Sequence, residues 1–134
     1  MKVAEVRVRT SRRYEFVSIT DEVRRAVRES GVENGVCVVS SAHTTAGVTV
    51  NEDYDPDVAR DLTAASQALV NALDVSFVHA EGNSDSHLLT SLFGQSETLL
   101  VRGGEPQLGR WQGVFLAEFD GPRSRTVRVA VLAG

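Results

Sequence analysis

The chain has 134 residues, a formal net charge of −4, 42% hydrophobic residues and 24% charged residues. That length fits one domain, and the balance is that of an ordinary globular protein rather than a disordered or fibrous one. The acidic charge disfavours nucleic-acid binding by bulk charge, the single cysteine, Cys37, excludes an intrachain disulfide, and no apolar run approaches the roughly 20 residues that span a bilayer.

The N-terminal residues alternate and carry charge throughout, unlike a secretory signal. Together with the lone thiol this leads to an expected cytoplasmic location. Within residues 3–9, Ala4, Val6 and Val8 fall on one face and Glu5, Arg7 and Arg9 on the other, the pattern of a half-buried strand. A short strand over 14–19 follows. Thr20 then reads as the N-cap of a helix over 21–30, with Asp21 and Glu22 in its first turn, Val23, Ala26 and Val27 on its inner stripe, and Gly31 as its stop. Residues 36–39, Val-Cys-Val-Val, predict a central strand buried on both faces, and 48–50 a further short strand. Asp55-Pro56-Asp57 opens the longest helix, with Asp55 as cap and Pro56 at the first helical position. Val58, Leu62, Ala65, Leu69 and Leu73 are expected to face the core from it. Residues 75–79 predict a strand. A short helix from Asn83 or Ser84 to about Phe93 comes next, then strands over 97–102, 111–119 and 125–132, the last two joined by the turn Asp120-Gly121-Pro122. Many short strands, few helices and tight turns predict an α+β fold of antiparallel, sandwich-like sheets with two or three packed helices, in a single domain over 1–134.

Four segments carry chemistry. Ser40 to Gly47 holds His43 beside Thr44 and Thr45, an imidazole that can ligate metal or move a proton next to hydroxyls that can donate to phosphate. It leads to Asn51, Glu52 and Asp53, oxygen donors of the kind magnesium prefers. His79 to His87 places two imidazoles around Glu81, Asn83 and Asp85, with Gly82 free to adopt an unusual turn. These are the only three histidines in the chain, and three imidazoles with an open position are the donor count of a catalytic zinc site. Helix capping explains Asn83 and Asp85 equally well. In the third segment, Trp111 suits stacking on a planar ring and Gln112 hydrogen-bonding its edge, although a core tryptophan reads the same way. In the fourth, Arg123 and Arg125 flank a tight turn from which guanidinium groups can fork onto phosphate oxygens; a solvated hairpin with Arg–carboxylate pairs is the alternative. Cys37, inside an apolar strand, is expected to be buried and inert. No Gly-x-Ser-x-Gly nucleophile elbow is present.

These motifs, taken in order, resemble the YjbQ family. They are His43-Thr44-Thr45-Ala46-Gly47 with Asn51-Glu52, His79 through Gly82-Asn83 to His87, Leu108-Gly109-Arg110-Trp111-Gln112, and Glu118-Phe119-Asp120-Gly121-Pro122-Arg123. The resemblance covers nearly the whole chain. One position departs from it, Arg110, where the family usually carries threonine. The resemblance implies an α+β fold, a homotrimer, and a thiamine-phosphate synthase-like activity that couples a pyrimidine-methyl diphosphate to a thiazole phosphate and releases diphosphate. On that basis His43, His79 and His87 would hold a divalent metal, zinc or magnesium, or bind phosphate directly. Glu81 and Asn83 would position water or substrate, and Thr44 and Thr45 would donate to phosphate. Trp111 and Gln112 would shape the ring pocket, Arg123 or Arg125 would bind the diphosphate, and Asn51, Glu52 and Asp53 would be reserve oxygen ligands. The expected partner is a small phosphorylated substrate, with no nucleic acid and no membrane. Two other readings use the same residues: a metal-dependent phosphoester hydrolase, and a non-enzymatic metal- or ligand-binding trimer.

Overall fold

A computed structural model describes residues 1–134. In chain order it has β1 (Lys2–Arg9), β2 (Glu15–Ser18), α1 (Thr20–Ser30), β3 (Asn34–Ser41), β4 (Ala46–Glu52), α2 (Pro56–Asn71), α3 (Ser84–Phe93), β5 (Ser96–Arg102), β6 (Glu105–Pro106), β7 (Gln112–Glu118) and β8 (Ser124–Ala133). The strands form two antiparallel sheets, five-stranded in the order β1-β8-β3-β5-β6 and three-stranded in the order β2-β7-β4. This is the expected α+β architecture.

The alternation of apolar residues explains how the layers stack. Val127, Val129 and Val131 on β8, Cys37 and Val39 on β3 and Val8 on β1 point from the large sheet toward Val48, Val114 and Leu116 of the small one, and α1 closes this core with Val23, Ala26 and Val27. The other face of β7 presents Phe115 and Ala117, followed by Phe119. These pack with Tyr14, Phe16 and Leu89, and α2 contributes Ala59, Leu62 and Val70. The small sheet is therefore covered on both faces, which is why β7 is buried along nearly its whole length.

Several expectations need correcting. Thr20 is the first helical residue of α1, not its cap; its hydroxyl donates to Asp53 and accepts from the backbone of Val114. Strand β3 is central, but only one of its faces is fully buried, that of Cys37 and Val39. Residues 75–79 form no strand: no sheet partner reaches them, and Val75, Phe77 and Val78 are exposed. On α2 the inner stripe is Ala59, Leu62, Ser66 and Val70, while Ala65 and Leu69, with Leu73 beyond the helix end, look outward. The turn after β7 is not a hairpin, because β7 and β8 belong to different sheets and the chain crosses between them there. Asp55 does cap α2, accepting from the backbone of Asp57, and Gly31 and Gly82 adopt the left-handed conformation that glycine permits. No helix is long and apolar enough to cross a membrane.

Candidate functional site

At one end of the sandwich the loop after β3 meets the last two turns of α3. His43, Thr44, His87, Thr90, Ser91 and Gln95 line a polar cavity of about 530 Å³ that contains no apolar side chain and no carboxylate. Thr90 and Ser91 lie one helical turn after His87, so all three share a face of α3, a relation that i+3 and i+4 spacing made readable. The Thr90 hydroxyl is buried and has no partner within the chain.

His43 is held by its surroundings. Its Nε2 accepts the backbone N–H of Thr126 at 2.9 Å, so the neutral ring must carry its proton on Nδ1. Burial lowers its pKa below the ordinary imidazole value, and the positive charge of Arg125 acts in the same direction. The ring is thus a neutral N–H donor. The backbone N–H of His43 in turn donates to Ser41 Oγ, and Ser41 donates to the carbonyl of Ala46, which closes the loop on itself.

The three imidazoles are not gathered on one point. His79 is exposed, and its ring meets that of His87 edge-on with centroids 5.6 Å apart. His43 shares the cavity with His87 alone. No three His, Cys, Asp or Glu side chains are grouped so as to hold one ion. While Nε2 of His43 receives Thr126, that ring has no lone pair to offer a metal. A three-imidazole centre therefore does not fit the residues of this chain, and His79 and His87 are the two rings left to share a cation.

The remaining candidates fall into three places. Glu81 and Asn83 lie at the N-terminal end of α3, outside the cavity. Asn83 donates to Asp120 at 2.8 Å and to Glu81 at 3.3 Å, and Asp120 also accepts from the exposed Arg123 at 3.1 Å. Beside them Asp85 accepts from Arg13 and from the buried Tyr14 hydroxyl, and burial and this carboxylate push the phenol pKa upward. Arg125 and Thr45 are interior residues. Arg125 is paired with the fully buried Glu118 and donates to the carbonyl and hydroxyl oxygens of Thr45. Burial alone would raise the Glu118 pKa, but the hydrogen bonds from Arg125, the Asp120 N–H and Thr10 outweigh it and hold the pKa below its ordinary value.

Asn51, Glu52, Asp53, Trp111 and Gln112 sit at the opposite end of the small sheet. In the β4–β7 register, Ala46 opposes Glu118 while Glu52 opposes Gln112, so six residue steps separate the two ends, about 20 Å. Asp53 accepts from Ser18 and Thr20 at 2.6 and 2.7 Å, Asn51 accepts from the backbone of Glu52, and Gln112 accepts from the backbone of Gly109. Trp111 is half exposed, stacked on Tyr54 with centroids 4.9 Å apart and covered by Arg110. Within one chain these residues cannot share a ligand with His43. Sequence reasoning missed Thr90, Ser91 and Gln95, and it carried Glu118 as part of a motif without giving it a role.

The family described as UPF0047 protein YjbQ-like matches residues 4–134. The chain belongs to this family. A YjbQ-like relative from Methanocaldococcus jannaschii is 44% identical over 125 residues, covering 93% of this chain and 90% of its own. YugU of Bacillus subtilis is 36% identical over 127 residues, covering 95% and 96%. Among solved structures, a YjbQ/UPF0047 family protein from Clostridium acetobutylicum superposes with a TM-score of 0.91 at 43% identity, covering 96% of this chain and 99% of the other. A hypothetical protein from Aeropyrum pernix superposes with a TM-score of 0.92 at 32% identity over the full length of both. The two-sheet fold that places the His43 cavity thus matches these experimental structures.

Proposed function

We propose that this chain is a thiamine-phosphate synthase-like transferase, acting as a homotrimer, whose His43–His87 cavity holds the diphosphate of a pyrimidine-methyl diphosphate. The observation that carries the phosphate assignment is the lining: an imidazole N–H, hydroxyls and an amide, no carboxylate, and a buried Thr90 hydroxyl without a partner. The Thr90 hydroxyl is closed off from solvent, and its missing partner costs roughly 1–3 kcal/mol, a cost removed if the side chain turns to a bound oxyanion. The step from phosphate to this reaction is supported by the family pattern in the sequence.

In the coupling, the C–O bond between the pyrimidine methylene and the diphosphate breaks and its electron pair leaves on the diphosphate. The thiazole nitrogen forms the new C–N bond. Charge therefore builds on the leaving oxygens, where hydrogen-bond donors lining the cavity lower the barrier most. His43 serves through Nδ1–H, with Thr44 and Thr90 as hydroxyl donors, while the Ser91 hydroxyl already donates to the His87 carbonyl at 3.0 Å. Within one chain a divalent metal would have the imidazoles of His79 and His87 to hold it, nitrogen donors that suit zinc rather than magnesium. The trimer is supported by apolar surface that the single chain leaves open: Leu69, Leu73, Val75, Phe77 and Val78 lie close in sequence and are all exposed.

Calorimetric titration with inorganic pyrophosphate tests the cavity. His43→Ala and His87→Ala should each weaken binding by about tenfold, the loss of one charge-assisted hydrogen bond. Product analysis with the two precursors should show the coupled phosphate ester. Unchanged pyrophosphate affinity in both variants overturns the site, and hydrolysed precursors with no coupled product favour the phosphoester hydrolase.

A further inference from the structure

We propose that Glu118 is a positioning residue that, through Arg125, sets which ring nitrogen of His43 carries the proton. The inference deepens the phosphate reading above, because it names what keeps His43 a donor. Its test, however, does not depend on any ligand.

Strand alternation explains why two charges lie between the sheets. Glu118 continues the inward-facing series Val114, Leu116 on β7, and Arg125 begins the inward-facing series Val127, Val129, Val131 on β8. Both side chains therefore point into the sandwich at the end where the chain crosses from one sheet to the other. Glu118 is fully buried and Arg125 is 3% exposed. Such a pair stabilises little compared with apolar residues of the same size, so its presence calls for another role.

Its hydrogen bonds define that role. Glu118 Oε1 accepts from Arg125 Nε at 2.8 Å and from the Thr10 hydroxyl at 2.7 Å, and Oε2 accepts from the backbone of Asp120 at 3.0 Å and from Arg125 Nη2. Thr10 in turn accepts the backbone N–H of Arg123 at 2.9 Å. The carboxylate thus holds the crossover at residues 120 and 123 and the guanidinium at 125. Nη2 of Arg125 reaches across to the Thr45 carbonyl at 3.2 Å and hydroxyl at 2.9 Å. Thr45 lies two residues after His43, and Arg125 immediately precedes Thr126. The pair therefore brackets the Thr126 N–H···Nε2 bond on both of the segments that make it, segments 83 residues apart in sequence. Backbone donation to Nε2 leaves Nδ1 as the protonated nitrogen. If the crossover loosens, the ring is released to bond solvent through either nitrogen.

Nitrogen-15 correlation spectra of the imidazoles test this on the free protein. The His43 signals are assigned by their absence in His43→Gln. In the parent chain His43 should show a protonated Nδ1 and an unprotonated, hydrogen-bonded Nε2. Glu118→Gln and Arg125→Lys, each confirmed as folded by its amide spectrum, should shift His43 to a mixture with Nε2 substantially protonated. Tyr14→Phe, which removes a buried hydrogen bond to Asp85 elsewhere, should leave the His43 pattern unchanged. That control separates positioning from general loss of stability. If Glu118→Gln does not fold, Arg125→Lys carries the test. A parent chain with Nε2 protonated, or a folded variant of the pair that keeps Nδ1–H, overturns the proposal. A correct tautomer with no pyrophosphate binding overturns the functional reading and leaves the positioning role standing.

Discussion

His43 and Glu118 both respond to acid, and the sign follows from their surroundings. Burial holds the His43 pKa below the ordinary value of about 6.5, so on acidification the unfolded chain takes up this proton before the folded one. The stabilisation is complete above the ordinary imidazole pKa and is lost as pH falls through the lower folded value. Glu118, also lowered, behaves the same way in a more acidic window: its contribution is complete above the ordinary carboxylate range and is lost as pH falls through its own depressed pKa. Thermal melts should therefore drop in two stages on acidification. His43→Gln should remove the first stage and leave the second; a single unchanged profile in that variant would contradict the assignment. A second residue-scale prediction concerns Gly47. A Cβ there would lie 2.3 Å from the Gly94 carbonyl oxygen, the group that accepts from Val48 and holds β4 against the end of α3. Gly47→Ala should cost about 1–3 kcal/mol in denaturant melts. Of these features, His43 was legible in the sequence because histidine among threonines is a chemical signal. Glu118 and Arg125 were not read as partners, although each continues an inward-facing alternation. Local pattern marks a position as interior but does not say which two interior charges meet, since that depends on the crossover between sheets.

At the scale of elements, capping and periodicity carried most of the information, and they failed where burial depends on a partner. Asp55-Pro56 opened α2 as expected, because side-chain capping and the proline ring act within the first helical turn. The inner face of α2 was assigned only in part, Leu62 facing the core as expected and Ala65 and Leu69 not, because periodicity alone does not choose between the helix's apolar stripes. Ala59, Leu62 and Val70 meet the small sheet, while Ala65 and Leu69 do not. Residues 75–79 show the same failure in another form. Apolar and β-branched composition describes a strand only when a neighbouring edge supplies hydrogen bonds, and none does so here. These two discrepancies adjoin each other in sequence and place surplus apolar surface on and just after α2. If assembly covers that surface, Leu69→Glu should shift the protein toward monomer in light scattering while its far-ultraviolet spectrum stays unchanged, because the side chain is 62% exposed in the single chain. An unaltered mass would show that this stripe lies outside any interface.

For the molecule as a whole, the two-sheet architecture divides the residues singled out from the sequence. His43 precedes β4 and Asn51–Asp53 end it, so a strand of seven residues holds them about 20 Å apart. Their closeness in sequence suggested one site, but an extended strand separates its ends more than any other element of the same length. The motifs that carry the family resemblance include both groups, and each has its own chemistry. The His43 end offers hydrogen-bond donors to an anion, and the Trp111 end offers a stacked aromatic surface beside a smaller cavity of about 230 Å³ bordered by Glu52, Asp53 and Tyr54. If the donors of the His43 cavity alone carry phosphate affinity, Trp111→Ala should leave pyrophosphate binding within about twofold of the parent, against the roughly tenfold loss for His43→Ala. Calorimetry on both variants at one salt concentration makes the comparison. Equal losses would mean that the two ends are brought together between chains of the assembly, so that a phosphate held by one chain is shaped by the aromatic platform of the next.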